Sequence, residues 1–432
     1  MKKTTLLIAT LIIIPVVLHA QLTITAEIRP RAEMRKGYKQ LSDTTDLPAV
    51  FVSQRSRLSL EFNQNRYRIY FSLQDVRVWG DETNYSSTGI TGDNASIDLK
   101  EAWGEYFFTD KLSLKFGRQE IKYADQRLLA ARNWNQHGMS YDALLLKYHG
   151  SFICDAGISY NNDKELLYQE YFSTGKMKTL DFLFLSKQLN DHFRGSILYV
   201  LSGFQNPDKE EGIYFRHTPG ALVDFSLGNL TVNGSAYYQS GKNSKGNDVS
   251  AYFWNLSSVY AFPGSVISAG IDYISGHNFA STDSSYLKKD HLFDLLYGAR
   301  HRYYGHMDHF SNLSKGTGGG GLIDVYAGSE IGIGKSIEVQ AAYHYFRLQN
   351  NVQDPETEDI LNKSLGNEID LSISYRPVKE IKLEAGYSIL LSTKSLNKLQ
   401  NVSVAHSMDA HRVYVMCTFT PSLTLNKKEE QH

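Results

Sequence analysis

The sequence predicts an all-β fold: a transmembrane antiparallel β-barrel of about 18 strands, with long extracellular loops and short periplasmic turns. Residues 1–20 have the pattern of a secretory signal peptide, with Lys2 and Lys3 before the apolar run from Leu6 to Leu18. The later segments alternate apolar and polar side chains, and their connections are alternately long and short. No later apolar run reaches the ~18–20 residues that a membrane-spanning helix requires.

Composition agrees with an exported barrel. The 432-residue chain has 28 Tyr, 21 Phe and 4 Trp, but few Pro and two Cys. Without Lys2 and Lys3, 43 of the 45 basic residues remain against 46 acidic ones, and the formal net charge falls from −1 to −3. This balance gives no basis for nucleic-acid binding. A secreted β-sandwich would share the composition, but it would have no reason to alternate long and short connections.

The first three strands show the alternation most clearly. In the first strand, Leu22, Ile24 and Ile28 lie on one face and charged residues on the other, because successive side chains point to opposite sides. The second strand repeats this pattern over 52–62 and the third over 67–78, where a change of phase near Gln74 predicts a β-bulge. Further strands are expected near 97–109, 111–118, 141–149, 151–160, 179–189, 193–203, 213–227, 229–240, 249–262, 265–276, 322–334, 336–348, 365–377, 380–392 and 408–420.

The connections orient the barrel, since bacterial outer-membrane barrels have short periplasmic turns and long extracellular loops. Short connections are predicted at 63–65, 110, 150, 190–192, 228, 263–264, 335 and 378–379. Long connections include 80–96, 119–140, 161–178, 277–321, 349–364 and 393–407. The predicted organisation is a signal peptide over 1–20, an outer-membrane barrel over 21–420 and a short polar tail over 421–432.

The strand phase also places a set of arginines on the water-facing side of the first three strands, together with Glu27, Glu33 and Glu61. The set comprises Arg29, Arg31, Arg35, Arg55, Arg57, Arg66 and Arg68. One interpretation is a ladder of cross-strand ion pairs that braces the wall. The other is a field of residual positive charge for a passing anion, because the cations outnumber the acids here.

The stretch from Gly117 to Asp142 is dense in cationic and hydrogen-bonding groups. It contains Arg118, Asp125, Gln126, Arg127 and Arg132. Arginine presents a planar fork of donors that suits carboxylates and other oxyanions. The stretch is either a surface loop held together by its own side chains or a loop folded into the pore. Strand phase points Arg118 outward unless the strand ends at Gly117.

Several motifs in this stretch resemble the alginate-export family of outer-membrane channels, in its Bacteroidetes-type branch. They are GRQ from Gly117, YADQRLLAARNW from Tyr123, NQ from Asn135 and SYDALLLKY from Ser140. Three more are SQRSRLSLEF from Ser53, LQDVRVWG from Leu73 and HRYYGHMDHF from His301. The resemblance implies an 18-stranded porin, narrowed by charged side chains and inward loops, that exports a linear acidic polysaccharide such as alginate.

The longest connection, 277–321, holds His306, Asp308 and His309, which are weak candidates for a metal site because short spacing alone is little evidence. Its glycine run, Gly316 to Gly321, lacks the Lys-Ser/Thr of a phosphate-binding loop. We therefore expect a mobile gate that buries no core of its own and is dispensable for folding. Cys154 and Cys417 are each in phase with apolar neighbours, so both are expected to face lipid and stay reduced.

Together these patterns predict a channel in the outer membrane of a Gram-negative bacterium, not an enzyme, with no cofactor. The solute would be anionic or hydroxylated, such as an acidic poly- or oligosaccharide of the alginate type. The expected partners are outer-membrane lipid, lipopolysaccharide, the saccharide or another small anion, and periplasmic export proteins. Two alternatives remain: an outer-membrane hydrolase with an active site at the rim, and a structural or adhesive barrel. The predicted constriction comprises Arg29, Arg31, Arg55, Arg57, Arg118, Asp125, Gln126, Arg127 and Arg132.

Overall fold

The computed structural model describes residues 20–80, 97–168, 170–172, 177–206, 209, 212–403 and 409–426. Within these residues eighteen long antiparallel strands close into a barrel through pairing of the first with the last, as predicted. Two short strands are additional: β14 lies inside a loop, and β20 continues the last long strand. The strands are β1 (Gln21–Lys36), β2 (Ala49–Gln64), β3 (Tyr67–Val78), β4 (Ile97–Phe107), β5 (Leu112–Gln119), β6 (Tyr141–His149), β7 (Ile153–Tyr160), β8 (Met177–Gln188), β9 (Phe193–Gln205), β10 (Ile213–Leu227), β11 (Leu230–Lys242), β12 (Asp248–Phe262), β13 (Ser265–Ile274), β14 (Lys289–Asp290), β15 (Leu322–Ile333), β16 (Ile337–Leu348), β17 (Ser364–Val378), β18 (Ile381–Ser392), β19 (Ala410–Phe419) and β20 (Ser422–Asn426).

Helical structure is confined to the long loops. It consists of α1 (Ser284–Leu287), a 3-10 turn (Arg300–Arg302), α2 (Leu313–Gly316) and α3 (Lys394–Leu399). In the part of the chain that the structure describes, no helix is long and apolar enough to cross a membrane. The predicted signal peptide lies outside the described residues, apart from Ala20.

The predicted pattern of connections is confirmed. Short turns at 65–66, 108–111, 150–152, 189–192, 228–229, 263–264, 334–336 and 379–380 gather at one end, and the long loops lie at the other. The register between β3 and β4 shifts between Ser72 and Leu73, where β4 has the extra residue Lys100. The bulge expected near Gln74 thus lies in β4, and the predicted change of phase within β3 is wrong, because β3 stays in register with β2 over Tyr67–Val78. One arginine predicted to face the lumen from the third strand does not lie on a strand: Arg66 is in the turn between β2 and β3.

The outside of the barrel is apolar. Ile28, Phe71 and Val415 are exposed on it, as are similar residues on the other strands. Such a surface around a closed barrel matches the lipid-facing band of outer-membrane proteins. Cys154 and Cys417 alternate with the inward-facing residues of their strands, so they share the outer face, and both are free thiols. The prediction made for the two cysteines is confirmed.

The barrel wall extends beyond the predicted end at residue 420. β20 pairs with the start of β1, and Thr424 and Ser422 lie within hydrogen-bond distance of Thr23 and Thr25. Pro421 separates β20 from β19, because proline has no N–H to donate to the ladder. The expected polar tail is therefore partly wall, and residues 427–432 lie outside the described part.

Two long loops fold into the barrel and pack together: residues 120–140 between β5 and β6, and residues 275–321 between β13 and β15. We call them together the plug. Leu129 forms a parallel bridge with Tyr297, and Tyr297 N donates to Leu128 O at 2.9 Å. Met307 and Phe310 are fully buried in the same apolar cluster. This cluster continues into inward-facing apolar residues of the wall, so the hydrophobic core lies inside the barrel.

The expectation that 277–321 buries no core is therefore wrong. The apolar residues of this loop do not recur with the period of a strand or a helix, so the sequence pattern did not predict that they are buried. The glycine run serves close packing rather than motion. Gly321 has a φ of +72°, and a Cβ there would lie 2.4 Å from Ile274 O. Only glycine fits this close approach of the loop to β13.

Candidate functional site

The first feature of the lumen is the anchoring of loop 120–140 to the inner face of β1. Arg29 donates from Nη1 to Asn133 O at 2.9 Å and from Nη2 to Gln136 Oε1 at 2.8 Å. Arg31 donates to Trp134 O at 3.0 Å and forms an ion pair with Glu33 at 2.8 Å. Both arginines are buried. Each guanidinium is thus occupied by the loop backbone or by a neighbouring carboxylate.

β2 continues this anchoring. Arg55 forms an ion pair with Glu27 at 2.5 Å and donates to Asn133 O at 3.3 Å. Arg57 donates to Gln74 Oε1 at 2.9 Å and to His137 O at 3.3 Å. The four arginines together engage the consecutive backbone carbonyls of 133–137. Buried Arg29, Arg31 and Arg55 do not present free charge to the lumen, contrary to the predicted constriction.

Arg127 anchors the same loop on the opposite wall. Its guanidinium forms an ion pair with the fully buried Asp272 of β13 and another with Asp125, at 3.0 Å. It also lies 3.9 Å from the ring centre of Tyr303. Burial alone would lower the pKa of Arg127, but Asp272 raises it well above the usual value, so Arg127 stays charged. Arg127 is therefore a buried anchor whose guanidinium is already paired with two carboxylates.

Arg118 lies elsewhere. β5 continues through Gly117 to Gln119, and Arg118 is half-exposed on the outer face in an ion pair with Asp142 at 2.7 Å. Phe116 and Leu144, which share this face, are exposed apolar residues. The strand phase therefore decided the orientation of Arg118, and Gly117 does not end the strand. Arg118 does not belong to the constriction that the sequence predicted.

A passage remains between the plug and the wall formed by β16–β19. It is a cavity of about 700 Å³ that begins among loop residues such as Lys39 and Lys315 at the long-loop end. It reaches Gln340 and Glu384, which lie near the start of β16 and β18 at the short-turn end. The passage thus follows most of the length of the barrel. Of the predicted site residues, Gln126 and Arg132 line it, whereas Asp125 and Arg127 line a second cavity.

Three arginines of the plug give the passage a cationic side: Arg132, Arg300 and Arg302. Arg132 donates only to backbone carbonyls, Gly298 O at 2.8 Å and Leu296 O at 3.1 Å. Burial and the neighbouring Arg300 lower the pKa of Arg132 to about 10, so it remains charged at neutral pH. Since only carbonyls hold Arg132, its charge is not neutralised by a carboxylate within the described residues.

Like that of Arg132, the guanidinium groups of Arg300 and Arg302 are accessible to a solute in the passage. Within the described residues, the carboxylate paired with Arg300 is Asp294, at 3.9 Å. Arg300 also donates to Ser311 O at 2.7 Å and to Leu296 O at 2.9 Å. Arg302 is exposed within the lumen and lies 5.4 Å from the ring centroid of Tyr303. The sequence prediction missed both residues, although Arg300 directly precedes the HRYYGHMDHF motif and Arg302 is its second residue. The accumulation of basic residues at 300–302 was a usable signal.

An aromatic stack joins the two loops of the plug beside these arginines. The ring of His301 lies between Trp134, at 4.6 Å, and His306, at 4.8 Å between ring centres. His301 Nδ1 is 2.8 Å from Asp308, which also accepts a hydrogen bond from Tyr38. Burial would raise the pKa of Asp308, but His301 and these hydrogen bonds lower it to about 2. The stack fixes the shape of the passage wall.

The weak metal candidates do not form a common site. Asp308 contacts His301, whereas His309 lies 2.7 Å from Gly37 O and 3.1 Å from Gln400 Nε2. His306 stacks on His301 and lies 3.7 Å from Asp370. Among the residues that the structure describes, no group of three or more His, Cys, Asp or Glu is arranged to hold a metal ion.

Comparison with known proteins agrees with this geometry. Residues 20–160, which include β1–β6 and the first plug loop, match the family model described as alginate export. The resemblance to the alginate-export family is confirmed over this segment. No curated protein sequence matches the chain. The closed barrel, its apolar outer wall and the family match over residues 20–160 indicate an outer-membrane β-barrel similar to the alginate-export channels.

Solved structures support the fold alone, because their identities are low. Acinetobacter baumannii OccAB1 is 13% identical, with a TM-score of 0.60 over 93% of this chain and 97% of that one. Pseudomonas aeruginosa OccK9 (OpdG) is 11% identical, with a TM-score of 0.59 over 93% and 98%. Pseudomonas aeruginosa OpdK with vanillate is 8% identical, with a TM-score of 0.57 over 93% and 99%. All are similar to this chain over nearly its whole length.

Proposed function

We propose that the protein is an outer-membrane channel for anionic and hydroxyl-rich solutes, which pass beside Arg132, Arg300 and Arg302. The observation that carries this proposal is the position of these three cations along one cavity, where Asp294, 3.9 Å from Arg300, is the only carboxylate paired with any of them among the described residues. The alginate-export match favours acidic oligo- or polysaccharides of the alginate type as solutes. Outer-membrane lipid and lipopolysaccharide would surround the barrel, and periplasmic export proteins would be its partners.

The strength of the interaction suits passage rather than tight binding. A carboxylate 4 Å from an arginine interacts with about 4 kcal/mol at an effective dielectric of ~20, but with only about 1 kcal/mol in bulk water. Three half-solvated arginines along the path give a passing anion successive contacts of moderate strength. Conduction requires this combination, because a solute must be attracted into the pore and then released.

The test is ion selectivity in planar bilayers. The wild-type channel should prefer anions at low salt, and the preference should weaken as the Debye length falls from ~30 Å at 0.01 M to ~10 Å at 0.1 M. The triple variant R132Q/R300Q/R302Q should shift the reversal potential toward cations while migrating as a folded, heat-modifiable barrel.

R118Q is the matched control, because Arg118 is an exposed arginine of the outer face. It should keep the wild-type reversal potential. A wild-type channel without anion preference, or a triple variant with the wild-type preference, would contradict the proposed path. Uptake of oligouronates and of neutral oligosaccharides by liposomes containing the protein would then establish whether charge or hydroxyl content governs permeation.

A further inference from the structure

A second cavity lies against the wall on the other side of the plug. It has a volume of about 430 Å³ and is bounded by the plug residues Asp125, Arg302 and Tyr303 and by inner-face residues of β7–β12 and β15. Arg302 lines both this cavity and the passage. A solute that moves past Arg302 can therefore enter either space.

The far side of this cavity is built by three neighbouring strands near the short-turn end. Asp224 of β10 is in register with Arg194 of β9 and with Asn233 of β11. The side chains of Asp224 and Asn233 make no hydrogen bond or ion pair with any residue in the described ranges, although both are partly buried. Polar groups that are withdrawn from bulk water normally have a partner. The oxygen atoms of Asp224 and the amide group of Asn233 are thus available for hydrogen bonds to a ligand.

The charges here differ from those of the passage. Three arginines line the second cavity, Arg127, Arg194 and Arg302, beside Asp125 and Asp224. The buried Asp272 pairs with Arg127, so this wall as a whole carries equal numbers of opposite charges. A simple anion would gain little net attraction from such a wall. A molecule with several hydroxyl groups would gain more, because each hydroxyl can donate to a carboxylate and accept from an arginine or an amide.

We propose that this cavity is a second solute site that takes a polyhydroxylated molecule of about monosaccharide size. Asp224 accepts hydrogen bonds from hydroxyls, Asn233 donates and accepts, and Arg302 donates at the side facing the passage. The ring of Tyr326 adds a flat wall for the less polar face of a sugar. The volume falls within the range typical of small-molecule sites. This inference rests on the proposed function only in that the solute arrives through the passage.

The experiment uses D-glucose as a neutral probe and the double variant D224N/N233A. In single-channel recordings, glucose should interrupt the wild-type current, and acetate, an anion without hydroxyls, should not. In the variant the interruptions should be about tenfold shorter, because hydrogen bonds to a charged partner and to an amide are lost. D191N is the matched control, because Asp191 is an exposed acid in the short turn between β8 and β9.

Binding of glucose to the detergent-solubilised barrel, measured by isothermal titration calorimetry, separates the two proposals. A barrel that does not conduct but binds glucose through Asp224 and Asn233 refutes the proposed channel and keeps the site. A conducting, anion-selective barrel that neither binds glucose nor shows interrupted currents keeps the channel and refutes the site. Interruptions that persist unchanged in D224N/N233A also refute it.

Discussion

Arg29 and Arg55 on the barrel wall and Arg132 and Arg302 on the plug occupy the same lumen, yet their guanidinium groups have different surroundings. The wall arginines are buried and saturated by backbone carbonyls, Gln136 and Glu27. The plug arginines have carbonyl or aromatic neighbours and no close carboxylate. The comparison teaches that an inward-facing arginine is not by itself a contact for solute. Its remaining hydrogen-bonding capacity decides whether it anchors the fold or meets the solute.

The largest effect is expected for the most buried anchor. Arg127→Met removes the partner of Asp272 and leaves a buried carboxylate unpaired. Breaking one side of a buried pair costs roughly 3–5 kcal/mol. Urea unfolding in detergent should show this loss of unfolding free energy, and R127M/D272N should recover part of it. An R127M barrel of wild-type stability would mean that this pair does not anchor the plug.

A comparable change in unfolding free energy is expected when the pH is lowered, because the buried His309 binds a backbone carbonyl. Burial lowers the pKa of His309 to about 4, although its hydrogen bonds with Gly37 O and Gln400 act in the opposite direction. In the unfolded chain it takes up a proton near pH 6.5, so stability should fall as pH decreases from about 6.5 to about 4 and then level off. The contribution is about 3 kcal/mol.

The measurement is the unfolding free energy between pH 7 and pH 4 for the wild type and for His309→Gln. The variant lacks the titrating ring, so its stability should depend less steeply on pH in this window. Equal slopes for the two proteins would show that other groups dominate the dependence. His192→Gln, at an exposed turn, is the control and should keep the wild-type slope.

A smaller effect is expected for a wall anchor that holds only neutral groups of the loop. Arg29→Met removes hydrogen bonds to Asn133 O and Gln136, and hydrogen bonds to a charged group contribute ~1.5–3 kcal/mol. The loosened loop should raise single-channel conductance without reversing ion preference. A reversal of ion preference in R29M would place Arg29 among the solute contacts. It would contradict the distinction between anchoring arginines of the wall and solute-facing arginines of the plug.

The smallest effect is expected at the surface. The Arg118–Asp142 pair is exposed on both sides, and exposed pairs contribute ~0–1 kcal/mol. Arg118→Gln should change stability by no more than this amount and leave conductance unchanged. A clear change in conductance would indicate that the outer face influences the first plug loop.

The wall of the barrel could be predicted from the sequence, whereas the contents of its lumen could not. Alternation at Leu22, Ile24 and Ile28 reports which side of a strand faces lipid, and that property is local. The partner of an inward arginine is set by a loop about a hundred residues away, as with Arg29 and Asn133. The sequence therefore predicted that Arg29 and Arg31 face the lumen, but it could not show that their hydrogen-bond donors are already used by the loop and by neighbouring side chains.

The plug itself escaped prediction for a related reason. Met307 and Phe310 are buried without helical or strand periodicity, so composition made their loop look mobile. Of the two interpretations of the stretch from Gly117, the loop folded into the pore agrees with the structure, since loop 120–140 enters the barrel. This interpretation included Arg132, which lines the passage, together with the buried Arg127, because two arginines five residues apart look alike in sequence.

Most contacts between the wall and residues 133–137 involve main-chain carbonyls. The exceptions are the side chain of Gln136, which bonds Arg29 and Ser53, and a 3.4 Å hydrogen bond from Arg57 to Asn133 Oδ1. The main-chain contacts do not depend on the side chains of those residues. Asn133 and Asn135 project exposed side chains into the passage while their backbone is held. Substitutions at these two positions can therefore alter what the passage admits without disturbing its scaffold. This separation makes the channel evolvable, since related barrels could acquire new solutes by point mutation and keep the same architecture.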